Sequence, residues 1–334
     1  MNVVVMRAGS WGSVLSGLLA RNGHRVSLIA PHEALRTELL TYRENRKALP
    51  GVPIPDAVAI LSAPDDVLER ADMVVFPGPC ELMRDMARSV KSANWQGKLV
   101  VTAAKGIEQG SFKRMSELLA EELPEVPPDE IVALSGPSFA RFVGLGHPTT
   151  VVAAARSEKA AVAAQRAFMS STFRVYCSPD SLGVELGGAL KNVIAIAAGM
   201  SDGLGFGDNT RAALMTRGLA EITRLGLAMG AQLPTFLGLS GVGDLVLTCS
   251  SRESRNHFVG EQVGKGRTLK EVLQGMVTVA EGVKTAPAAI GLAEKWGVPM
   301  PIASEVNAVL FEEKKPQDAV TALMMRDPKP EHWS

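Results

Sequence analysis

From residue 1 to about residue 178, short runs of β-branched residues alternate with amphipathic stretches of helical period, and after Pro179 the runs stop. This alternation limits the possible folds more than any other feature. Parallel strands need a crossover between them, and a sheet covered by helices is the arrangement that supplies one. The runs predict strands over residues 3–6, 25–29, 73–76, 98–102, 131–134, 149–153 and 173–176. Beyond Pro179, Ala, Leu, Gly and Met dominate, and helix-length patterns cover 181–199, 209–228, 280–296 and 302–311. The expected architecture is an α/β domain with a mostly parallel sheet (1–180), an all-helical domain (181–327) and a loose tail (328–334).

A chain of 334 residues, 46% hydrophobic and 21% charged, can bury a large core, which excludes a disordered chain. Its 35 basic residues balance 35 acidic ones, so no net field attracts a nucleic acid or an anionic membrane. Any anion it binds needs a local site. Cys80, Cys177 and Cys249 are far apart and form no CxxC pair, which argues against a structural zinc or a disulfide scaffold and fits a reducing compartment. The N-terminus enters a strand-like run without a leader pattern, and no unbroken apolar run approaches the roughly 20 residues a bilayer span requires. A cytoplasmic location without a membrane span is the expectation.

The first strand runs into Arg7-Ala8-Gly9-Ser10-Trp11-Gly12, followed by a helical pattern over 13–22. A strand, a glycine-rich turn and a helix form a dinucleotide site, because a pyrophosphate sits on the free N–H groups of the helix N-terminus. Gly9 and Gly12 hold the second and third positions of GxGxxG, but Arg7 holds the first. A long side chain there is expected to widen the turn or fill the anion site and so weaken binding; the competing outcome is a charged contact to the pyrophosphate. The second strand ends in Ala30-Pro31-His32-Glu33, with no residue clearly placed for a ribose or a 2′-phosphate. Glu33 has the right spacing, yet is expected on the solvated first turn of the next helix, which leaves NAD against NADP open.

Polar clusters interrupt apolar sequence where elements end, as sites usually do. Lys105 follows the strand ending near Thr102, and the small residues Ser135-Gly136-Pro137-Ser138 follow another. Lys191-Asn192 lies inside an apolar helix, where a lysine either serves a function or snorkels to solvent. Asp244 and Thr248 share the segment before Ser254-Arg255-Asn256, whose helix-opening N–H groups and guanidinium together suit a phosphate. Glu281 stands at another helix start.

In this order and spacing, the strings AGSWG, RENRKALPG, KGIE, LSGPSFA, GVELGGALKNVIAIAAGMSDGL, GDNTRAALMTRGLAE, GVGDLVLTC, SRN and AEGV resemble the bacterial NAD(P)-dependent glycerol-3-phosphate dehydrogenases across essentially the whole chain. The resemblance implies a Rossmann-like N-terminal domain, a helical C-terminal domain and a substrate cleft between them. It also implies interconversion of sn-glycerol 3-phosphate and dihydroxyacetone phosphate with NAD or NADP, for phospholipid synthesis, by a homodimeric enzyme. Lys191 would accept the proton from the carbon-2 hydroxyl, with Lys105 near substrate and nicotinamide, and Asn192, Asp244 and Thr248 around the reacting carbon. Gly136, Ser138, Ser254, Arg255 and Asn256 match substrate positions, with Arg255 on the phosphate. Ser10, Trp11, Ala140, Val279 and Glu281 match cofactor contacts, beside Gly9 and Gly12, and Lys105 and Arg255 would also touch the cofactor.

A lysine can serve as base if its pKa falls from about 10.4 towards roughly 7–8, which burial and a neighbouring Lys105 favour and a substrate phosphate opposes. Asp244 would orient the ammonium, and no metal is needed. The departures from the pattern lie in the nucleotide half: Arg7 for glycine, Pro31 for His or Arg, and Pro77-Gly78-Pro79-Cys80 for a segment like Ala-Val-Pro-Ser. They leave open a second reading, a glycerol-phosphate-binding sensor or scaffold with impaired hydride transfer. A different β-hydroxyacid dehydrogenase is disfavoured by the Ser254-Arg255-Asn256 cluster.

Overall fold

Asn2–Val5 (β1), Arg25–Ile29 (β2), Ala59–Leu61 (β3), Met73–Phe76 (β4), Leu99–Thr102 (β5), Val132–Ser135 (β6), Thr149–Ala154 (β7) and Phe173–Ser178 (β8) pair into one sheet. Its order is β3-β2-β1-β4-β5-β6-β7-β8. The computed structural model describes residues 1–276, 280–328, 330 and 331. Every neighbouring pair is parallel except β6 and β7. All four residues of β4 are buried, as a central strand covered on both faces requires. Chain order reverses between β1 and β4, and at such a switch point a crevice opens outside the carboxyl ends of the strands.

The strand segments are connected by Ser10–Arg21 (α1), Glu33–Tyr42 (α2), Asp65–Leu68 (α3), Met83–Arg88 (α4), Met115–Glu122 (α5), Ala140–Gly144 (α6) and Glu158–Phe168 (α7). Beyond the sheet the described elements are helical: Ser181–Gly203 (α8), Asp208–Ala228 (α9), Leu233–Phe236 (α10), Asp244–Ser250 (α11), Arg255–Gly264 (α12), Leu269–Gln274 (α13), Glu281–Trp296 (α14), Pro301–Phe311 (α15) and Pro316–Met324 (α16). The sequence expectations differ mostly at element ends. The helix after the glycine turn begins at Ser10 rather than residue 13, because Gly9 in extended conformation already serves as its N-cap. The edge strand β3 was not expected, since three residues carry too little alternation to register. Of the tail, residue 329 and residues 332–334 lie outside the described residues, and Pro328, Pro330 and Glu331 are in no helix or strand.

The axis of the helical half is α8. Asp180 fixes its start: Oδ1 accepts from Gly183 N at 2.9 Å, while Oδ2 accepts from Gln232 N at 2.9 Å and from the Thr235 hydroxyl at 2.6 Å. By length and mean hydropathy α8 and the segment Leu233–Ser250 could each cross a bilayer, although neither is an unbroken apolar run. The apolar window of α8 is 89% buried inside the protein, as in a core helix. The helix α12 crosses α8 at backbone contact. A Cβ on Gly199 would lie 2.0 Å from the His257 carbonyl oxygen, and one on Gly260 would lie 2.0 Å from that of Ile196.

Helical backbone cannot yield as a flexible side chain does, so Gly199→Ala must push α12 off α8. The expected cost is about 1–3 kcal/mol or more, visible as a lower melting temperature. A variant that melts with the wild type would show that the crossing has room to spare.

Candidate active site

The Gly187-Gly188 pair lets three elements meet. A Cβ on Gly187 would sit 2.6 Å from the Ser240 carbonyl oxygen, and one on Gly188 would sit 2.7 Å from Ser135 Oγ. The carboxyl end of β6 and the turn Leu239–Gly243 therefore close on α8 one helical turn before Lys191. Ser135 and Ser240 share a hydrogen bond at 2.7 Å, and Ser240 Oγ donates to the Val184 carbonyl at 2.6 Å. Backbone geometry at Gly241 is non-helical, which breaks the turn so that α11 starts afresh with Asp244.

Asp244 is 1% exposed and joins two lysines. Lys191 Nζ donates to Asp244 Oδ1 at 2.5 Å and to the Thr248 hydroxyl at 2.6 Å. Lys105 Nζ, from the loop after β5, donates to Asp244 Oδ2 at 2.6 Å and to the Gly136 carbonyl at 2.8 Å. The Thr248 hydroxyl donates onward to the Asp244 carbonyl at 2.6 Å, which fixes the direction in which it accepts. Burial pushes the Lys191 ammonium down to about 8; Asp244 pulls it up and Lys105 lowers it further. This is the direction the sequence implied.

A second set of contacts joins α12 to α8 and α14. Ser254 caps α12 by accepting from His257 N at 3.2 Å. Asn256 donates to Asn192 Oδ1 at 2.9 Å and accepts from Gly282 N at 2.8 Å. Arg255 lines the cleft with its side chain open to solvent, and desolvation by the surrounding protein lowers its pKa against the opposing charge of Glu281. Burial raises the Glu281 carboxyl to about 7, with Arg255 pulling it down. Its Oε2 is buried and has no hydrogen-bond partner among the described residues.

Of these groups, Lys105, Lys191, Thr248, Arg255, Asn256 and Glu281 line a cleft of about 730 Å³ together with Gly9, Ser10, Trp11, Ser138 and Ala140. At its other end the N-terminus of α1 has no side-chain cap, and a Cβ on Gly9 would meet nothing within 4 Å. Ser10 Oγ donates to the Ala48 carbonyl at 2.8 Å, and Asn45 to that of Ala8 at 3.3 Å. Free helix N–H groups, open space above a glycine and an orphaned buried carboxyl oxygen suit a polar dinucleotide. Of the expected residues, Gly12, Gly136 and Asp244 lie behind the wall, and Val279 falls outside the described residues. Glu33 is exposed on the first turn of α2, as the sequence suggested. The turn at Arg7 is not widened: a Cβ on Gly12 would be 1.9 Å from the Arg7 carbonyl oxygen, so α1 still packs directly on it. That corrects the expectation of a wider turn.

Sequence reasoning missed two supports. Glu185, buried on α8, accepts from the Ser116 backbone at 2.8 Å, from its hydroxyl at 2.6 Å and from Arg114 at 2.5 Å, which ties the Lys105 loop to α8. Its signal, a carboxylate inside an apolar helix six residues before Lys191, was as strong as that of Lys191 itself. The loop bearing Asn45, Lys47 and Ala48 walls the nucleotide end, and only its membership of a recurring string had marked it.

Residues 2–161 match the family described as NAD-dependent glycerol-3-phosphate dehydrogenase N-terminus, and residues 180–321 match its C-terminus counterpart. A glycerol-3-phosphate dehydrogenase [NAD(P)+] from Chlorobium luteolum is 48% identical over 331 residues, covering 99% of both chains. One from Desulfitobacterium hafniense is 49% identical over 329 residues, covering 98% of this chain and 92% of the relative. The crystal structure of a glycerol-3-phosphate dehydrogenase from Coxiella burnetii superposes with a TM-score of 0.92 at 34% identity, over 97% of this chain and 99% of that one.

The geometry makes Asp244 the group that holds the Lys191 proton. Asp244→Asn removes the charge that raises the Lys191 pKa and leaves burial and Lys105 acting downward, so its titration midpoint should move below about 8. ¹⁵N NMR of labelled lysine across the pH range reads this directly; an unchanged or higher midpoint would contradict the assignment.

Proposed function

The chain belongs to the NAD-dependent glycerol-3-phosphate dehydrogenase family, and we propose that it interconverts sn-glycerol 3-phosphate and dihydroxyacetone phosphate with NAD or NADP, supplying glycerol 3-phosphate for phospholipid synthesis. The observation that carries the mechanism is the pair of lysines from different parts of the chain hydrogen-bonded to one buried Asp244. When bound, the nicotinamide supplies or takes the hydride, and the protein's task is to orient the partners and move one proton. Gly9, Ser10, Trp11, Gly12, Ala140 and Glu281 would hold the dinucleotide, and Lys105 and Arg255 would face both ligands.

Lys191 gives its proton to the carbonyl oxygen of dihydroxyacetone phosphate as that oxygen becomes a hydroxyl, and takes it back in the reverse direction. Asp244 and Thr248 keep Nζ aimed, and Asn192, held by Asn256, lies one residue on. Lys105, anchored on Gly136, presents a second positive charge that favours the developing alkoxide. Arg255, with Ser254 and Asn256 at the start of α12, binds the substrate phosphate, and Ser138 completes that wall with Gly136 behind it. A homodimer and a cytoplasmic location belong to this proposal and rest on the likeness to the family. The sensor reading is less well supported, because the lysines and their carboxylate form a complete proton-transfer unit and the relatives are named as dehydrogenases. Oxidation of NADH and of NADPH, assayed separately with dihydroxyacetone phosphate at neutral pH, tests the reading; no turnover with either would return the sensor to first place.

Reduction needs Lys191 protonated, so its rate should fall as pH rises through about 8, whereas oxidation needs the neutral amine and should rise over the same interval. Lys191→Ala should lose roughly 10²–10⁴-fold in turnover with cofactor affinity nearly intact. More than about a tenth of the wild-type rate would exclude the role.

A charge-assisted phosphate contact is worth about 1.5–3 kcal/mol, so Arg255→Ala should raise the KM for dihydroxyacetone phosphate roughly ten- to a hundred-fold. An unchanged KM would move the phosphate site, with Lys105 the next candidate.

A further inference from the structure

The first position of the glycine fingerprint is where this chain departs most from its pattern, and the local geometry shows how an arginine fits there. Arg7 is not among the residues with positive φ, so its backbone has no requirement for glycine. Its carbonyl remains packed under the first turn of α1 at Gly12. The side chain reaches the loop after β4. A Cβ on Gly78 would lie 2.4 Å from Met86 Cε, 3.1 Å from Met86 Sδ and 3.5 Å from Arg7 Cδ. The bare glycine thus leaves room that Met86 and the arginine stem share.

The guanidinium lines the cleft, half-buried, with no hydrogen bond or ion pair among the described residues. Burial lowers its pKa, with no opposing acid to hold it up. Glu38, Glu253 and Glu281 line the same cleft, yet none pairs with it. Of the other cations lining the cleft, Lys105 and Lys191 are matched by Asp244 and Arg255 by the charge of Glu281, while Lys47 has no hydrogen bond or ion pair among the described residues. A partly buried cation without a partner is unfavourable unless an anion arrives with the ligand.

We propose that Arg7 is a phosphate-binding residue for the dinucleotide, placing a positive charge where the fingerprint has a bare glycine and using the space that Gly78 leaves for its stem. This rests on the dehydrogenase reading, since the ligand is that reaction's cofactor. The pyrophosphate and the 2′-phosphate of NADP offer the same chemistry, so the two cofactors separate the sources.

Calorimetric titration of NADH and NADPH into the wild type, Arg7→Gly, Arg7→Met and Arg7→Lys tests it. Arg7→Gly and Arg7→Met should each weaken binding roughly ten-fold or more, and Arg7→Lys should recover part of the loss. Equal losses for both cofactors place the charge on the pyrophosphate; a loss for NADPH alone places it on the 2′-phosphate. Binding in Arg7→Gly that is unchanged or tighter would overturn the proposal and make Arg7 an obstruction. Calorimetry needs no turnover: cofactor binding that depends on Arg7 in a chain inactive on dihydroxyacetone phosphate would sink the dehydrogenase reading while leaving this one standing.

Discussion

Two ammonium groups can share one buried pocket only if a carboxylate stands between them, and Asp244 supplies it. Without that charge, burial and mutual repulsion both favour neutral amines. With it, Lys191 stays in the range where it can hold or release a proton near neutrality. Much of the surrounding structure serves this placement. The non-helical backbone at Gly241 ends one turn so that another can begin at Asp244. The Gly187-Gly188 pair brings that turn against α8, and Thr248, one helical turn on from Asp244, closes the contact.

The cluster is also a joint between the two parts of the chain. Lys105 comes from the sheet, Lys191 from α8 and Asp244 from α11, so the site exists only when all three are in register. Arg114 and Ser116 hold the Lys105 loop to Glu185, and Asn256 links α12 to Asn192 on one side and to the start of α14 on the other. In the proposed reaction, substrate phosphate, reacting carbon and cofactor would therefore meet groups joined through hydrogen bonds. A shift at one contact reaches the others within a few bonds.

The central strands were readable because β-branched residues buried on both faces leave an apolar run, as in β4. Long helices such as α8 and α9 were readable from period and length. What failed was short or conditional. The strand β3 and the helices α10, α11 and α13 are too brief for a periodic signal, and tertiary contacts decide them. Lys191 and Asp244 could be picked out one at a time, but their shared hydrogen bonds span 53 residues and have no local signature. The turn at Arg7 was misjudged for a different reason. A glycine is expected there for its backbone, whereas here the backbone has no positive φ and the stem packs against the loop at Gly78, seventy-one positions away.

The Asp180 cap gives α8 a fixed origin, and Lys191 stands eleven residues beyond it. A helix turns by about 100° and rises about 1.5 Å per residue, so the distance between cap and lysine sets a direction as well as a height. One residue more or fewer in that interval would rotate the amine away from the cleft, even if every side chain in the pocket were retained. Chain length here is a structural parameter in its own right. Substitutions can be absorbed one contact at a time, but an insertion changes the angular phase of everything downstream on the helix.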